Sequence, residues 1–352
     1  ILIGMEGGYG DMIQFARYAC VLKQRGARRV GLMCQPGLAP LLATVGAIDV
    51  VLALGVDLPD SDWDYWTLPL SLPHFCLTRL ESIPASIPYL HAQPGQLQEW
   101  ADRLARLEEC WADSPADGLP GPHQEFESPQ FLPTLPGSSS SQVSLPSSRS
   151  SLDSPQPSSI PPSLRSTLLP SLQPSLRPSL RPSLRPSLHS LRIGLVWRGN
   201  PNFENDGQRS LPRLSMLAPL AAVQGVRWYS LQKGASVEQL DDPSLPTNFH
   251  ITDLSGWLTD FSQTAAAIGN LDLVISVDTA VAHLAAALGT PCWVLLPDYK
   301  PDWRWLDGRT DSPWYPGVMR LFRQQVIGRW ESVIDDLLLA LPQWMEHQRP
   351  GD

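Results

Sequence analysis

The chain has 352 residues, enough for two cores, and its 43% apolar content excludes disorder throughout. A formal net charge of −9 excludes a general nucleic-acid binder, which needs a clustered excess of Lys and Arg against phosphates. Five cysteines, Cys20, Cys34, Cys76, Cys110 and Cys292, stand singly without zinc-knuckle or redox spacing, so no metal site is expected and a reducing cytoplasm is the simplest location.

In chain order, Ile1–Gly4 reads as a strand, followed by a glycine loop and by an amphipathic helix over 12–24 with Ile13, Ala16, Cys20 and Leu22 on one face. Because a strand-like run begins at the first residue, the chain is expected to be a piece of a longer protein. A strand over 29–34, a helix over 38–45 and a strand over 49–54 continue the alternation, which points to a parallel sheet covered on both faces. From about Asp113 to residue 190 the composition turns to Ser, Pro and Leu, ending in a Pro-Ser-Leu-Arg repeat. Proline every fourth residue removes backbone donors and disfavours helix before it, so a disordered or extended linker is expected there. The second half repeats the plan: strands over 192–197, 226–231, 271–277 and 291–296, and helices over 214–223, 262–268 and 279–288. No apolar run approaches the roughly 20 residues of a membrane helix, and no leader opens the chain, so no transmembrane segment is expected.

Ligands of open α/β sheets sit at the carboxyl ends of the strands, so the loops after strands carry the candidate chemistry. In Glu6-Gly7-Gly8-Tyr9-Gly10-Asp11 the glycines allow a tight turn and close approach to a phosphate or sugar. Ile13 stands where the dinucleotide fingerprint needs its third glycine, which counts against a nicotinamide-dependent oxidoreductase. Asp11 can cap the helix or act on a ligand. Ser276-Val277-Asp278-Thr279-Ala280-Val281-Ala282-His283 runs from the most apolar strand into an Ala-rich helix whose N-terminal N–H groups suit a pyrophosphate; Asp278 or Thr279 can equally be a plain N-cap. His283 lies one turn after Thr279 on the same face, as a ligand contact or as a packed residue. Asn200 in Trp197-Arg198-Gly199-Asn200-Pro201 suits a tight turn, and Arg209 can reach phosphates with its forked donors or simply face water, as can Lys233.

These segments, with Gly194-Leu195-Val196-Trp197, Arg209-Ser210, Asp302-Trp303-Arg304-Trp305, Ser312-Pro313-Trp314-Tyr315-Pro316 and Arg320-Leu321-Phe322-Arg323-Gln324, resemble glycosyltransferase family 9. This is the ADP-heptose:lipopolysaccharide heptosyltransferase-like family, and the likeness is closest to its branch fused to tetratricopeptide repeats. The resemblance covers both halves and skips the linker. It implies an α/β GT-B fold, two Rossmann-like domains facing a cleft: an acceptor-side domain over 1–112, the disordered Ser/Pro-rich insertion over 113–190, and a nucleotide-sugar domain over 191–345. It further implies inverting, metal-independent transfer of a heptose-like or hexose sugar from a nucleotide-sugar donor, ADP-linked in the family, with no cofactor. The acceptor would be a glycan, a lipid-linked molecule or a protein, and an upstream repeat domain would be a partner.

By this resemblance Asp11 matches the general base, with Glu6 as the reserve and Gly8 and Gly10 in the acceptor loop. Arg209 matches a cation on the donor phosphates. Asp278, Thr279, Ala280 and His283 match the donor-binding loop and helix, and Asn200 and Lys233 are assigned to the same donor site. Relatives carry Glu-Gln-Gly-Leu-Gly-Asp where this chain has Gly7 and Tyr9 at the second and fourth places. The aromatic residues Trp303, Trp305, Trp314 and Tyr315 can stack on a sugar or base, or pack the domain edge. A catalytically degenerate fold serving as a nucleotide-sugar or partner binding module is the alternative.

Overall fold

Leu273–Val277 and Cys292–Leu296 carry apolar residues on both faces and are wholly buried, an environment that a parallel sheet with helices on either side provides. The computed structural model describes residues 1–55, 63–112 and 190–348. The Ser/Pro-rich insertion expected over 113–190 lies, apart from Ser190, outside the described residues.

The first part contains β1 (Leu2–Ile3), α1 (Tyr9–Phe15), α2 (Tyr18–Gln24), β2 (Gly31–Cys34), α3 (Ala39–Leu42), β3 (Val50–Ala53), β4 (Trp66–Thr67), α4 (Leu72–Phe75) and α5 (Pro94–Ala112). The second contains β5 (Leu191–Val196), α6 (Asp206–Arg209), β6 (Val226–Ser230), β7 (Ile251–Asp253), α7 (Phe261–Ile268), β8 (Leu273–Val277), α8 (Ala280–Ala287), β9 (Cys292–Leu296), β10 (Met319–Arg323) and α9 (Glu331–Gln348). Among the described residues the strands form two sheets, ordered β3-β2-β1-β4 and β10-β9-β8-β5-β6-β7, and every paired strand is parallel to its neighbour.

That order positions the site. In the first sheet the chain walks outward from β1 to β3 and then returns to the other side of β1. In the second it walks from β5 to β7 and returns beside β5 with β8. In open α/β sheets such a return is where ligands approach the carboxyl ends of the strands. The loop after β1 lies at one such return, and the loops after β5 and β8 lie at the other.

Three of the expected helices differ from the sequence expectation, and the one over 38–45 is reduced to the single turn Ala39–Leu42 after a 3-10 turn at Pro36–Leu38. The helix expected over 12–24 is interrupted, because Arg17 turns its side chain back along the axis and its Nε donates to the Gln14 carbonyl at 2.8 Å. The ladder switches there to tighter bonds, Ala19 N–H to Ala16 and Cys20 N–H to Arg17. The segment expected as an α-helix over 214–223 is a 3-10 helix, Leu214–Ala222, since Pro219 lacks the N–H for an α-ladder and disfavours helix at Ala218.

Helix α5 packs on α7, with the Trp100 indole donating to Gln263 at 2.8 Å. Its Glu108 receives a forked pair from Arg192 of β5, at 2.6 and 2.9 Å. No helix among the described residues is long and apolar enough to cross a membrane.

Candidate active site

Helix α1, after β1, packs directly on α8, after β8, so the two strand-end loops meet. The approach is close enough that Gly10 admits no side chain: a Cβ there would lie 2.9 Å from His283 Cδ2 and 3.5 Å from the Ala280 Cα. Gly7 takes φ +71°, and a Cβ on it would run into the Asp11 carboxylate. The loop geometry thus brings Gly8, Gly10 and Asp11 together with Ala280 and His283.

Asp11 does two things at once. The helix starts at Tyr9, so Asp11 is its third residue and not the N-cap before it; its Oδ2 reaches back to accept the N–H of the N-cap Gly8 at 2.7 Å, and its Oδ1 accepts a guanidinium N–H of Arg304. The Asp11 side chain keeps 20% of its surface open to solvent. Glu6 points elsewhere, accepting the Leu70 N–H at 3.1 Å and so fixing the short turn after β4.

Across the junction, His283 is buried, and its Nδ1 shares a hydrogen bond of 2.9 Å with the Tyr315 hydroxyl while its ring stacks on Trp305 at 5.2 Å. Burial, and then the nearby Arg304 and Arg17 charges, hold its pKa well below the usual histidine value, so the imidazole is neutral near pH 7. Thr279 occupies the N-cap position of α8 but makes no side-chain capping bond there; its hydroxyl pairs with Ser276 at 3.0 Å. Half-buried Asp278 has a raised pKa, chiefly through desolvation, with Asp302 adding to the rise. The Trp305 indole approaches it without a regular hydrogen bond and, with Arg209 and Arg304, offsets part of the shift. Asp278, Arg209, Arg304 and Asp302 therefore share one electrostatic neighbourhood.

The remaining candidates line the loops after β5 and β6. Arg209 lies over the Phe203 ring at 4.1 Å and contacts buried Asp206 at 3.4 Å. Asn200 closes its own turn by accepting the Asn202 N–H at 3.0 Å, and Lys233 donates to the Ser255 carbonyl at 2.7 Å.

Several residues were not singled out as site candidates from sequence. Gln232 is buried and clamps two loops, accepting from the Trp197 and Arg198 N–H groups and donating to the Arg198 and Lys233 carbonyls. Arg17 is buried and ties distant segments together: it donates to Gln14, Pro84 and Trp314 carbonyls and to the Tyr89 hydroxyl. Burial alone would lower the Arg17 pKa; contact with Tyr89 and Tyr315 outweighs this and raises it. Arg304 had one visible signal, an arginine between two tryptophans. Of the aromatic residues near it, Trp305, Trp314 and Tyr315 are buried packing residues, whereas Trp303 is exposed.

Residues 234–296 match the model of glycosyltransferase family 9 (heptosyltransferase). The chain is similar to the structure of E. coli ADP-heptose lps heptosyltransferase II, with a TM-score of 0.53 and 13% identity, covering 98% of this chain and 99% of that one. It is likewise similar to the glycosyl transferase family 9 structure from Veillonella parvula, with a TM-score of 0.51, 10% identity, and coverage of 99% and 97%. At such identities the likeness is one of fold, and the architecture of two facing parallel sheets is GT-B. Protein FlbA of Caulobacter vibrioides is 28% identical over 152 residues, 43% of this chain and 25% of that protein, so the match spans a quarter of that relative's length.

Proposed function

We propose that the chain is a glycosyltransferase that moves a heptose-like or hexose sugar from a nucleotide-sugar donor to a glycan, lipid-linked or protein acceptor, in the cytoplasm, with inversion and without a metal. The observation that carries this is the partly open Asp11 carboxylate, packed through Gly10 against the start of α8, whose first-turn N–H groups carry no side-chain cap. The family match over 234–296 adds support, since it includes the segment from Lys233's neighbour Gly234 through Asp278 to β9.

On this reading the donor diphosphate lies at the α8 N-terminus, where backbone N–H groups and the helix dipole favour negative charge. Arg209, Lys233, Asn200 and the Asp278–His283 segment line the donor side. An acceptor hydroxyl attacks the anomeric carbon from the face opposite the diphosphate. The new C–O bond forms as the bond to the diphosphate oxygen breaks, the leaving group keeps that electron pair, and Asp11 takes the hydroxyl proton. Development of charge on the leaving group is where fixed N–H dipoles contribute most. An upstream tetratricopeptide-repeat segment, as in the branch the sequence resembles, would present the acceptor.

The test scans ADP-, UDP- and GDP-sugars for binding and slow hydrolysis by the wild-type chain and by Asp11→Ala. Turnover of one donor by wild type, reduced about 10²- to 10⁴-fold in the variant with binding retained, is expected for loss of a general base. One observation favours a second reading, a binding module without catalysis: Asp11 is already engaged by Arg304 and Gly8. Binding of a donor without turnover, even with acceptors supplied, would select that module over the enzyme.

A further inference from the structure

Arg304 and Asp11 are 293 positions apart in sequence and paired in the fold. The arginine is the better fixed of the two. Its backbone N–H donates to Asp302 Oδ1 at 3.0 Å, one guanidinium nitrogen donates to Asp302 Oδ2 at 2.6 Å, and the other reaches Asp11. Phe15 and Trp303 flank the guanidinium, with ring centroids at 5.3 and 5.2 Å. The Arg304 side chain is 9% exposed, so little freedom remains for its planar fork.

The carboxylate it meets is held from the opposite side by the Gly8 N–H, so two partners on separate segments set the plane of the Asp11 carboxyl group. A carboxylate has about four lone-pair sites, and these contacts engage one on each oxygen, leaving acceptor capacity on both. A group that must take a proton from an attacking hydroxyl has to be held within about 0.5 Å and 10–20° of the productive pose by neighbours that are themselves locked. Arg304 meets that description. Building on the glycosyl-transfer reading above, we propose that Arg304 is a positioning residue for Asp11: its anchored guanidinium orients the carboxylate toward the acceptor hydroxyl and does not silence it. Asp302 supports the same geometry by fixing the fork.

The test uses the full chain with Arg304→Gln, Arg304→Lys and Asp302→Asn, assayed with whichever nucleotide sugar the wild type turns over, and with the free nucleotide diphosphate for calorimetric binding. Arg304→Gln is expected to lower kcat about 100-fold, the scale of a misplaced reacting group. KM and the nucleotide Kd should stay within about 2-fold, because an interaction needed only in the transition state has been lost. Arg304→Lys keeps the charge without the fork and should recover part of kcat. Asp302→Asn, which keeps Arg304 but loosens it, should lower kcat in the same direction and serves if Arg304→Gln does not fold. An unchanged or raised kcat in Arg304→Gln overturns the proposal, as does a weakened nucleotide Kd with kcat intact, which would make Arg304 a phosphate ligand. A wild type that turns over no donor removes the glycosyl-transfer reading and this inference with it. Turnover by wild type that is lost in Asp11→Ala but kept in the Arg304 and Asp302 variants removes only the inference.

Discussion

Replacing Arg17 by Met tests how the tertiary structure is tied together. Arg17 is 2% exposed and donates to three backbone carbonyls, those of Gln14, Pro84 and Trp314, and to the Tyr89 hydroxyl, at 2.6 to 3.1 Å. Its guanidinium lies 4.5 Å from the ring centroids of both Tyr89 and Tyr315. Hydrogen bonds from a charged donor are worth about 1.5–3 kcal/mol each, so four give about 6–12 kcal/mol gross. Desolvating the guanidinium costs several kcal/mol and offsets about half of that. Methionine fills much of the volume but leaves the carbonyls without this partner, and a net loss of about 3–5 kcal/mol is expected. For a unit of this size about 1 kcal/mol corresponds to 2–4 °C, which gives a fall of roughly 6–20 °C in Tm. Urea denaturation followed by tryptophan fluorescence, with a thermal melt alongside, measures both quantities. A variant within about 1 kcal/mol of wild type would refute the reasoning, because the buried contacts would then contribute no more than an ordinary surface pair.

His283 makes a prediction in pH. Its folded pKa lies well below the unfolded value, so below about pH 6.5 the unfolded chain takes up a proton that the folded chain refuses, and stability falls as pH falls. Between pH 6.5 and 5.5 that loss is about 1 kcal/mol, and His283→Gln should flatten the slope in this window; equal slopes in wild type and variant would refute the assignment. Thiol reactivity supplies another check: among the described cysteines Cys20 is exposed, while burial pushes the Cys34 thiol up to about 11 and raises those of Cys76 and Cys292. Iodoacetamide at pH 8, read by peptide mass spectrometry, should therefore modify Cys20 well before these three in the folded chain, and rapid labelling of Cys34 would contradict its placement.

Parts of the fold that depend on local pattern were legible in sequence. The apolar runs at β2, β3, β5, β6, β8 and β9 and the helices α7 and α8 fall where hydrophobic periodicity put them, because strand and helix periods are written in neighbouring residues. Helices α5 and α9 were not picked out, although Leu97, Trp100, Leu104 and Leu107 recur at helical spacing and Pro94 sits at a helix start. The short strands β4 and β7 gave too few residues for a period, and β10 carries Arg320 and Arg323 within its five positions; these strands exist because neighbouring strands supply their hydrogen bonds.

The strand-end glycine loop with Asp11, and the Asp278–His283 segment running into α8, were likewise visible, since glycine tolerance and helix starts are local properties. Which side chains meet was not visible. That Asp11 faces Arg304, that Gly10 makes room for His283, and that Arg17 bends back into its own helix while gripping Trp314 depend on contacts between residues far apart in the chain. The sequence by itself determined the alternation of strand and helix and the loops at which a ligand can approach, because those follow from short-range backbone preferences. Tertiary structure alone decided which charges pair, which polar groups are withdrawn from water and which carboxylate stays open, because burial and electrostatics depend on neighbours that only the closed fold assembles.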